Sequence, residues 1–168
     1  DYRSGNLDFD EYCSFLLHPL IGMNVDDLDE LVSEFIESHK EKLIDPMTFD
    51  LLKRHKDDFR LVASGSLDFI VKGFTNYFEL DAYLGSSYEV VDNKISGKLT
   101  KAAFAQGKLE KVREWCQKNG YIVEESFFYT DSINDLPLIK VCPRSIIISP
   151  DKKLEDYALA NNIEVLTR

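Results

Sequence analysis

Two carboxylates follow a short apolar run within residues 126–139, and their spacing could support metal chemistry. The aromatic residues 127–129 lack helical spacing, which predicts a buried strand. Asp131 follows this run and Asp135 lies four residues later, so a helix that begins near Ser132 brings both carboxylates to one side of its first turn. Mg²⁺ binds such carboxylates and leaves room for phosphate oxygens, at the sheet edge where open α/β sheets bind ligands. We therefore predict a Mg²⁺ site formed by Asp131 and Asp135.

The same residues have a simpler interpretation as the beginning of a surface helix. Asp131 or Ser132 could cap such a helix, and Asp135 would interact favourably with the helix dipole. The two acids alone do not separate a metal site from a helix cap. The choice depends on polar groups elsewhere in the chain.

Further polar groups stand at the ends of other predicted elements. Ser64 and Gly65 follow an apolar strand at residues 59–63, and Lys108 stands at the start of a helix. A hydroxyl, a backbone N–H and an ammonium can hold phosphate oxygens, while carboxylates hold a cation that neutralises developing charge. With Asn134, these groups suit phosphoryl transfer. Taken singly, Ser64 could be a turn residue and Lys108 a solvated lysine.

The pattern of apolar residues changes near residue 58. Before it, apolar positions recur at helical spacing, and after it short strands alternate with helices. This alternation predicts an α/β fold class, a Rossmann-like parallel sheet with helices on both faces. The Asp-Asn pair at residues 92–93 predicts a β-hairpin insert at 86–99. We expect an N-terminal helical cap at residues 1–57 and a core domain at 58–168.

Composition limits the partners of this protein. The chain has 168 residues and a net charge of −10, which argues against nonspecific binding to nucleic acid or to an anionic membrane. No apolar run reaches membrane-spanning length and no signal peptide is visible. Three cysteines without metal-ligand spacing indicate reduced thiols in a cytoplasmic protein. A small phosphorylated metabolite remains a compatible partner because a local cation decides its binding.

The order of the polar motifs resembles the haloacid dehalogenase superfamily of phosphatases, in the subclass that includes phosphoserine phosphatase. Residues 61–66 (Leu-Val-Ala-Ser-Gly-Ser) resemble the family's second motif, a Ser or Thr after a buried strand. Lys108 resembles the third motif, a Lys near a helix start. Residues 129–137 (Tyr-Thr-Asp-Ser-Ile-Asn-Asp-Leu-Pro) resemble the fourth, an acidic pair after a strand. The hairpin at residues 88–99 and the turn at 149–151 are similar to the same subclass.

The resemblance implies a Mg²⁺-dependent phosphatase that hydrolyses a small phosphate monoester through an aspartyl-phosphate intermediate. It implies that Asp131 ligates Mg²⁺, and that Asp135 ligates it through water or orients Lys108. Lys108 would stabilise the phosphoryl intermediate. The phosphate oxygens would be held by the Ser64 hydroxyl, the Gly65 N–H and Asn134. Relatives in the subclass act on phosphoserine, histidinol phosphate and other small monoesters, and their cap residues choose among these.

The sequence departs from the family at the first motif, an Asp-X-Asp whose first Asp is the nucleophile. No apolar strand with this ending precedes Ser64. Residues 8–10 (Asp-Phe-Asp) have the spelling but lie in a helical pattern. We expect that the chain begins inside the cap and that the missing central strand comes from upstream residues or from another chain. The 168 residues alone should therefore be inactive.

Two alternatives to an enzyme remain open. A member of the same fold that kept the phosphate site could be a non-catalytic binding or regulatory module, and the missing nucleophile motivates this hypothesis. A signalling domain similar to response regulators could also contain an acidic Mg²⁺ pocket. The helical segment before the sheet and the hairpin argue against the signalling domain.

Overall fold

The computed structural model describes residues 9–168, which form seven α-helices and six β-strands. The chain divides into two compact units, of which the first ends at Ala103 and the second is Phe104–Arg168. Each unit combines parallel strands with helices, so the predicted α/β fold class is confirmed. Within residues 9–168, every helix is too short or too polar to cross a lipid bilayer.

Three helices open the described part of the first unit, as the helical spacing predicted. They are α1 (Phe9–Leu17), α2 (Val25–Leu43) and α3 (Met47–Arg54). A 3-10 turn at His18–Leu20 follows α1. The Asn24 side chain accepts a hydrogen bond of 2.9 Å from the backbone N–H of Asp26 and thereby caps α2. Asp8 lies outside the described residues, while Phe9 and Asp10 belong to α1, a helix rather than a strand.

A three-stranded sheet completes the first unit. Its strands are β1 (Leu61–Leu67), β2 (Ala82–Val91) and β3 (Lys94–Lys101), and α4 (Asp68–Tyr77) connects β1 to β2. β1 pairs with β2 in parallel, and β2 pairs with β3 antiparallel. Asp92 and Asn93 have φ of 50° and 61°, the left-handed conformation that a two-residue hairpin turn favours. The predicted hairpin is confirmed, and its first arm is continuous with the strand that pairs with β1.

The strand expected at residues 59–63 lies further along the chain. β1 begins at Leu61 and continues to Leu67, so Ser64 and Gly65 lie inside the strand. The prediction that they follow the strand end was wrong. The Ser-Gly-Ser composition suggested a turn, whereas pairing with β2 resumes after these residues at Leu67.

The register between β1 and β2 shifts at this point. Ala63 pairs with Leu84 and Leu67 pairs with Ser86, so three residues of β1 stand opposite Gly85. A Cβ added to Gly85 would lie 2.8 Å from the backbone oxygen of Ser66. Glycine is therefore needed for the bulged segment to approach β2 so closely.

The helices before residue 58 share a unit with the sheet of β1, β2 and β3. α2 packs against α4, where a Cβ on Gly73 would lie 2.3 Å from Val32 Cγ1. Lys72 of α4 also forms an ion pair with Asp29 of α2. The structural division after Ala103 differs from the expected boundary between residues 57 and 58 because these helices pack on α4 and β3.

The second unit contains three parallel strands in the order β4-β5-β6. They are β4 (Phe127–Thr130), β5 (Arg144–Ile148) and β6 (Glu164–Leu166). Its helices are α5 (Gln106–Asn119), α6 (Leu136–Ile139) and α7 (Lys152–Ala160). Gly120 ends α5 in the left-handed conformation with φ of 76°. Because the strands are parallel, their carboxyl ends lie at one edge of this sheet.

β4 is less buried than its aromatic sequence suggested. Phe127 is 48% exposed, and the expectation of a buried strand is wrong at this residue. β4 is an edge strand of its sheet, and the guanidinium carbon of Arg144 lies 5.2 Å from the Phe127 ring centroid. This cation–π contact covers one face of an aromatic ring that the hydrophobic core does not enclose. Thr130 at the other end of the strand is buried.

Candidate active site

The chain turns directly from β4 into a short helical segment that carries the acidic motif. Asp131 follows the last residue of β4, and a 3-10 turn at Ile133–Asp135 leads into α6. Ser132 caps this turn, since its hydroxyl accepts a hydrogen bond of 3.3 Å from the backbone N–H of Asn134. The cap expected for a simple helix start is thus present, formed by Ser132. It does not explain the surroundings of the two acids.

Lys108 and Asp135 form a buried ion pair in the second unit. Lys108 lies in the first turn of α5, and its Nζ is 2.5 Å from Asp135 Oδ1. The two residues are 8% and 6% exposed. The interpretation of Lys108 as a solvated helix lysine is therefore wrong. A buried ammonium requires a charged or polar partner, and Asp135 supplies it.

Thr130 holds the second oxygen of the Asp135 carboxylate. Its Oγ1 donates a hydrogen bond of 2.7 Å to Asp135 Oδ2 and accepts one of 3.1 Å from the backbone N–H of Ser132. Both carboxylate oxygens of Asp135 therefore have a protein partner. This network fixes the position of the Lys108 ammonium, because a buried carboxylate with a hydrogen-bond partner on each oxygen cannot rotate freely.

Asp131 has different surroundings from Asp135, although the two are four residues apart. Its side chain is 57% exposed, and its Oδ2 lies 3.3 Å from Nη2 of Arg168. Arg168 follows the carboxyl end of β6, at the same edge of the sheet as Asp131. The acidic motif thus contains one buried carboxylate engaged with a lysine and one accessible carboxylate.

The accessible carboxylate fits a divalent cation better than the buried one. Mg²⁺ requires oxygen ligands, and one or two protein carboxylates suffice when water or phosphate supplies the rest. Asp131 offers such oxygens at the surface, whereas both oxygens of Asp135 already accept hydrogen bonds. Among the described residues, no group of three or more His, Cys, Asp or Glu side chains could hold a metal by itself. Of the two carboxylates, Asp131 is the one that could hold a cation, and this role stays a prediction.

Ser64 and Gly65 lie in the first unit, whereas Lys108, Asp131, Asn134 and Asp135 all lie in the second. The Ser64 hydroxyl accepts a hydrogen bond of 3.2 Å from the backbone N–H of Ser66. The Gly65 carbonyl accepts one of 2.8 Å from the hydroxyl of Ser86, which is itself fully buried. These bonds stabilise the bulged segment of β1. The phosphate-binding roles of Ser64, Gly65 and Asn134 stay predictions.

Two polar residues of the second unit had no place in the sequence-based prediction. Thr130 stands one residue before the acidic motif, and a hydroxyl at the end of an apolar strand was the available signal. Arg168 gave no signal, because it lies 37 residues from Asp131 in the chain and follows an ordinary short strand. Only the parallel pairing of β4, β5 and β6 brings Arg168 close to Asp131.

Comparison with known proteins identifies the family of this chain. The sequence model of the haloacid dehalogenase-like hydrolase family matches residues 2–140. A histidinol-phosphatase of Neisseria meningitidis is 29% identical over 173 residues, covering 99% of this chain and 78% of that protein. Three further relatives are longer, and the chain spans 53% to 56% of their length.

Solved structures show the same fold. A Bordetella pertussis protein with unknown function superposes with a TM-score of 0.89 at 23% identity, over 98% of this chain and 77% of that one. A probable phosphoserine phosphatase from Vibrio cholerae gives a TM-score of 0.69 at 18% identity, over 98% of this chain and 49% of that one. The predicted Rossmann-like fold and the resemblance to the haloacid dehalogenase family are confirmed.

Proposed function

The chain belongs to the haloacid dehalogenase-like hydrolase family, and we propose that it is part of a Mg²⁺-dependent phosphatase acting on a small phosphate monoester. The observation that carries the proposal is the separation of roles in the acidic motif. Asp135 is buried and bonded to Lys108 and Thr130, while Asp131 is accessible at the carboxyl end of β4. Phosphoryl transfer needs a fixed cation from the protein and an oxygen ligand for a metal, and the motif supplies both.

Lys108 is the group that would stabilise charge on the transferring phosphoryl group. Its ammonium has three donors, of which one is used by Asp135 Oδ1. A lysine held by a buried carboxylate reaches the phosphate without first losing side-chain entropy or ordered solvent. Asp135 therefore acts as a positioning residue in this proposal, and Asn134 beside it offers an amide for phosphate oxygens.

A bound Mg²⁺ ion would neutralise charge on the phosphate oxygens. Asp131 would hold it, and its position directly after β4 places its carboxylate where the strand ends. Ser64 and the Gly65 N–H keep the phosphate-binding roles that the resemblance implies.

The attacking carboxylate comes from outside the 168 residues in this proposal. No strand among residues 9–168 is followed by Asp-X-Asp. β4 is an edge strand in its own sheet, so a further strand can pair beside it. The carboxylate would attack phosphorus and displace the alcohol, which takes up a proton, and water would then hydrolyse the acyl phosphate to release inorganic phosphate.

The substrate is a small metabolite in this proposal, and two compounds deserve testing first. The relative in Neisseria meningitidis is named a histidinol-phosphatase, and the Vibrio cholerae structure is named a probable phosphoserine phosphatase. Histidinol phosphate and phosphoserine are therefore the first candidates.

The three cysteines at positions 13, 116 and 142 are unpaired and buried, which suits a reducing compartment such as the cytoplasm.

The proposal is tested by phosphate release from the complete protein, including the segment with the attacking carboxylate. We expect Mg²⁺-dependent release from histidinol phosphate, phosphoserine or a generic aryl phosphate, and no release by the 168 residues alone. The second candidate function is a non-catalytic phosphate-binding module, favoured by the absence of Asp-X-Asp after any described strand. Binding of inorganic phosphate without turnover of any ester by the complete protein would establish that alternative.

A further inference from the structure

Arg168 forms an ion pair with Asp131, the proposed metal ligand. Its Nη2 is 3.3 Å from Asp131 Oδ2, and the two side chains are 49% and 57% exposed. An exposed pair of this kind is weak, so it can open readily. The guanidinium and a divalent cation are both positively charged, and both can bind the carboxylate oxygens of Asp131.

The backbone of Arg168 is fixed even though its side chain is half exposed. Its N–H donates a hydrogen bond of 2.9 Å to the hydroxyl of Ser149, the residue that follows β5. The Ser149 N–H in turn donates one of 2.8 Å to the carbonyl of Leu166 at the end of β6. These two bonds join the chain after β5 to the chain after β6. They hold Arg168 at the sheet edge where Asp131 follows β4.

We propose that Arg168 is a built-in competitor of the divalent cation for the Asp131 carboxylate. The guanidinium neutralises Asp131, and a cation that binds this carboxylate would displace it. Asp135 does not serve this purpose because Lys108 and Thr130 engage both of its oxygens. The consequence is a weakened cation affinity that depends on a residue outside the acidic motif. This inference rests on the proposed function, since it takes Asp131 as the metal ligand.

Arg144 provides a matched control for the charge of Arg168. It stands at the first position of β5, so it lies at the amino ends of the parallel strands, and it packs on Phe127. Arg144→Gln removes the same charge from the same unit as Arg168→Gln. Any change that both variants share reports net charge, and a change confined to Arg168→Gln reports the contact with Asp131.

The test is calorimetric titration of the complete protein with Mg²⁺ alone, without substrate. We expect Arg168→Gln to lower the Mg²⁺ dissociation constant by about threefold, the factor that a typical exposed ion pair is worth. The difference from wild type should shrink at high salt because exposed pairs are screened. Arg144→Gln should bind as wild type does. An equal dissociation constant for wild type and Arg168→Gln, or an equal decrease in both arginine variants, would overturn the inference.

Asp131→Asn separates this inference from the function on which it rests. If Asp131→Asn binds Mg²⁺ as tightly as wild type does, the proposed metal ligand is wrong. If Asp131→Asn loses binding and Arg168→Gln leaves it unchanged, the metal ligand stands and the competition is wrong. Loss in the first variant together with tighter binding in the second supports both.

Discussion

The Nζ of Lys108 lies 2.5 Å from Oδ1 of Asp135, and both side chains are almost fully buried. The pair joins the first turn of α5 to the segment after β4, 27 residues apart in the chain. A buried pair of this kind contributes little net stability compared with apolar residues of the same size, but either charge is costly when left alone. The pair therefore gives little reason to expect a stabilising role, which agrees with the positioning role that we propose for Asp135.

Breaking the pair on one side should be strongly destabilising. Lys108→Met leaves the Asp135 carboxylate buried without its ammonium, and we expect the free energy of unfolding to fall by about 3 to 5 kcal/mol. Urea denaturation measures this change. The double variant Lys108→Met with Asp135→Leu should lose less than the sum of the two single variants, since no charge remains buried. Strictly additive losses would show that the two side chains do not interact.

Thr130→Val tests the hydrogen bond that holds the other oxygen of Asp135. The variant keeps the shape of the side chain and removes the donor 2.7 Å from Oδ2. We expect a loss of about 1 to 3 kcal/mol in unfolding free energy, because the bond is to a charged, buried acceptor. Thr130→Val should also lower the turnover of the complete protein, because Asp135 then holds Lys108 less firmly. Thr130→Ser keeps the hydroxyl and should retain most of the wild-type turnover. A turnover equal to wild type in Thr130→Val would show that this bond does not position Lys108.

Asn93 connects the hairpin turn to α2. Its Nδ2 donates hydrogen bonds to Asn24 Oδ1 at 3.1 Å and to Asp26 Oδ2 at 2.9 Å, and its carbonyl accepts one of 3.0 Å from the Val25 N–H. Asn93→Gly keeps the left-handed turn and removes only the side-chain bonds, so thermal unfolding should show a loss of about 1 kcal/mol.

Asn93→Asp supplies the contrast to the glycine variant. It places a carboxylate beside Asp26, where the amide donated a hydrogen bond. Like charges should make this variant less stable than Asn93→Gly at neutral pH, and added salt should reduce the difference. Equal stability of the two variants at low salt would mean that the Asn93 side chain does not approach α2.

Alkaline pH should destabilise the protein through Cys142. Burial raises the pKa of this thiol from its usual 9.0 to about 11. The folded protein therefore holds the thiol proton more tightly than the unfolded chain does. The stabilisation is complete below pH 9 and is lost as the pH rises from 9 to 11.

Urea denaturation between pH 8 and about 10.5 checks this contribution. Cys142→Ala should lower stability at neutral pH through lost packing, and its stability should fall less steeply above pH 9. Tyr88 adds a similar loss at higher pH, because burial raises its pKa to about 12. A wild-type and a Cys142→Ala curve with the same slope between pH 9 and 10.5 would contradict the assignment.

The sequence predicted those features of the candidate site that depend on residues close together in the chain. A strand followed at once by Asp131 and Asp135 is visible in ten residues, and the helix start at Lys108 follows from spacing. The burial of Asp135 and the exposure of Asp131 are not local, because they depend on which neighbours α5 and β6 provide. The sequence predicted Asp131 as a metal ligand and left Asp135 either to ligate the metal through water or to orient Lys108, and the structure shows Asp135 bonded to Lys108.

The fold shows the same division between local and long-range information. The helices, the hairpin turn at Asp92–Asn93 and the end of α5 at Gly120 follow from spacing and turn chemistry. The bulge of β1 does not, because Ser-Gly-Ser is equally typical of a turn. It becomes possible only because β2 has Gly85 opposite the bulge, whose missing side chain leaves room for the bulged residues.

The most direct test of this account is the Mg²⁺-dependent turnover of an aryl phosphate by the complete protein with Asp131→Asn. Asp151 provides the control, since it lies in the same unit, caps α7 through its side chain, and retains a capping oxygen as Asn. We predict that Asp131→Asn stays folded and loses turnover on the order of 100-fold or more, while Asp151→Asn keeps the wild-type rate. Near wild-type turnover and Mg²⁺ dependence in folded Asp131→Asn would contradict the account.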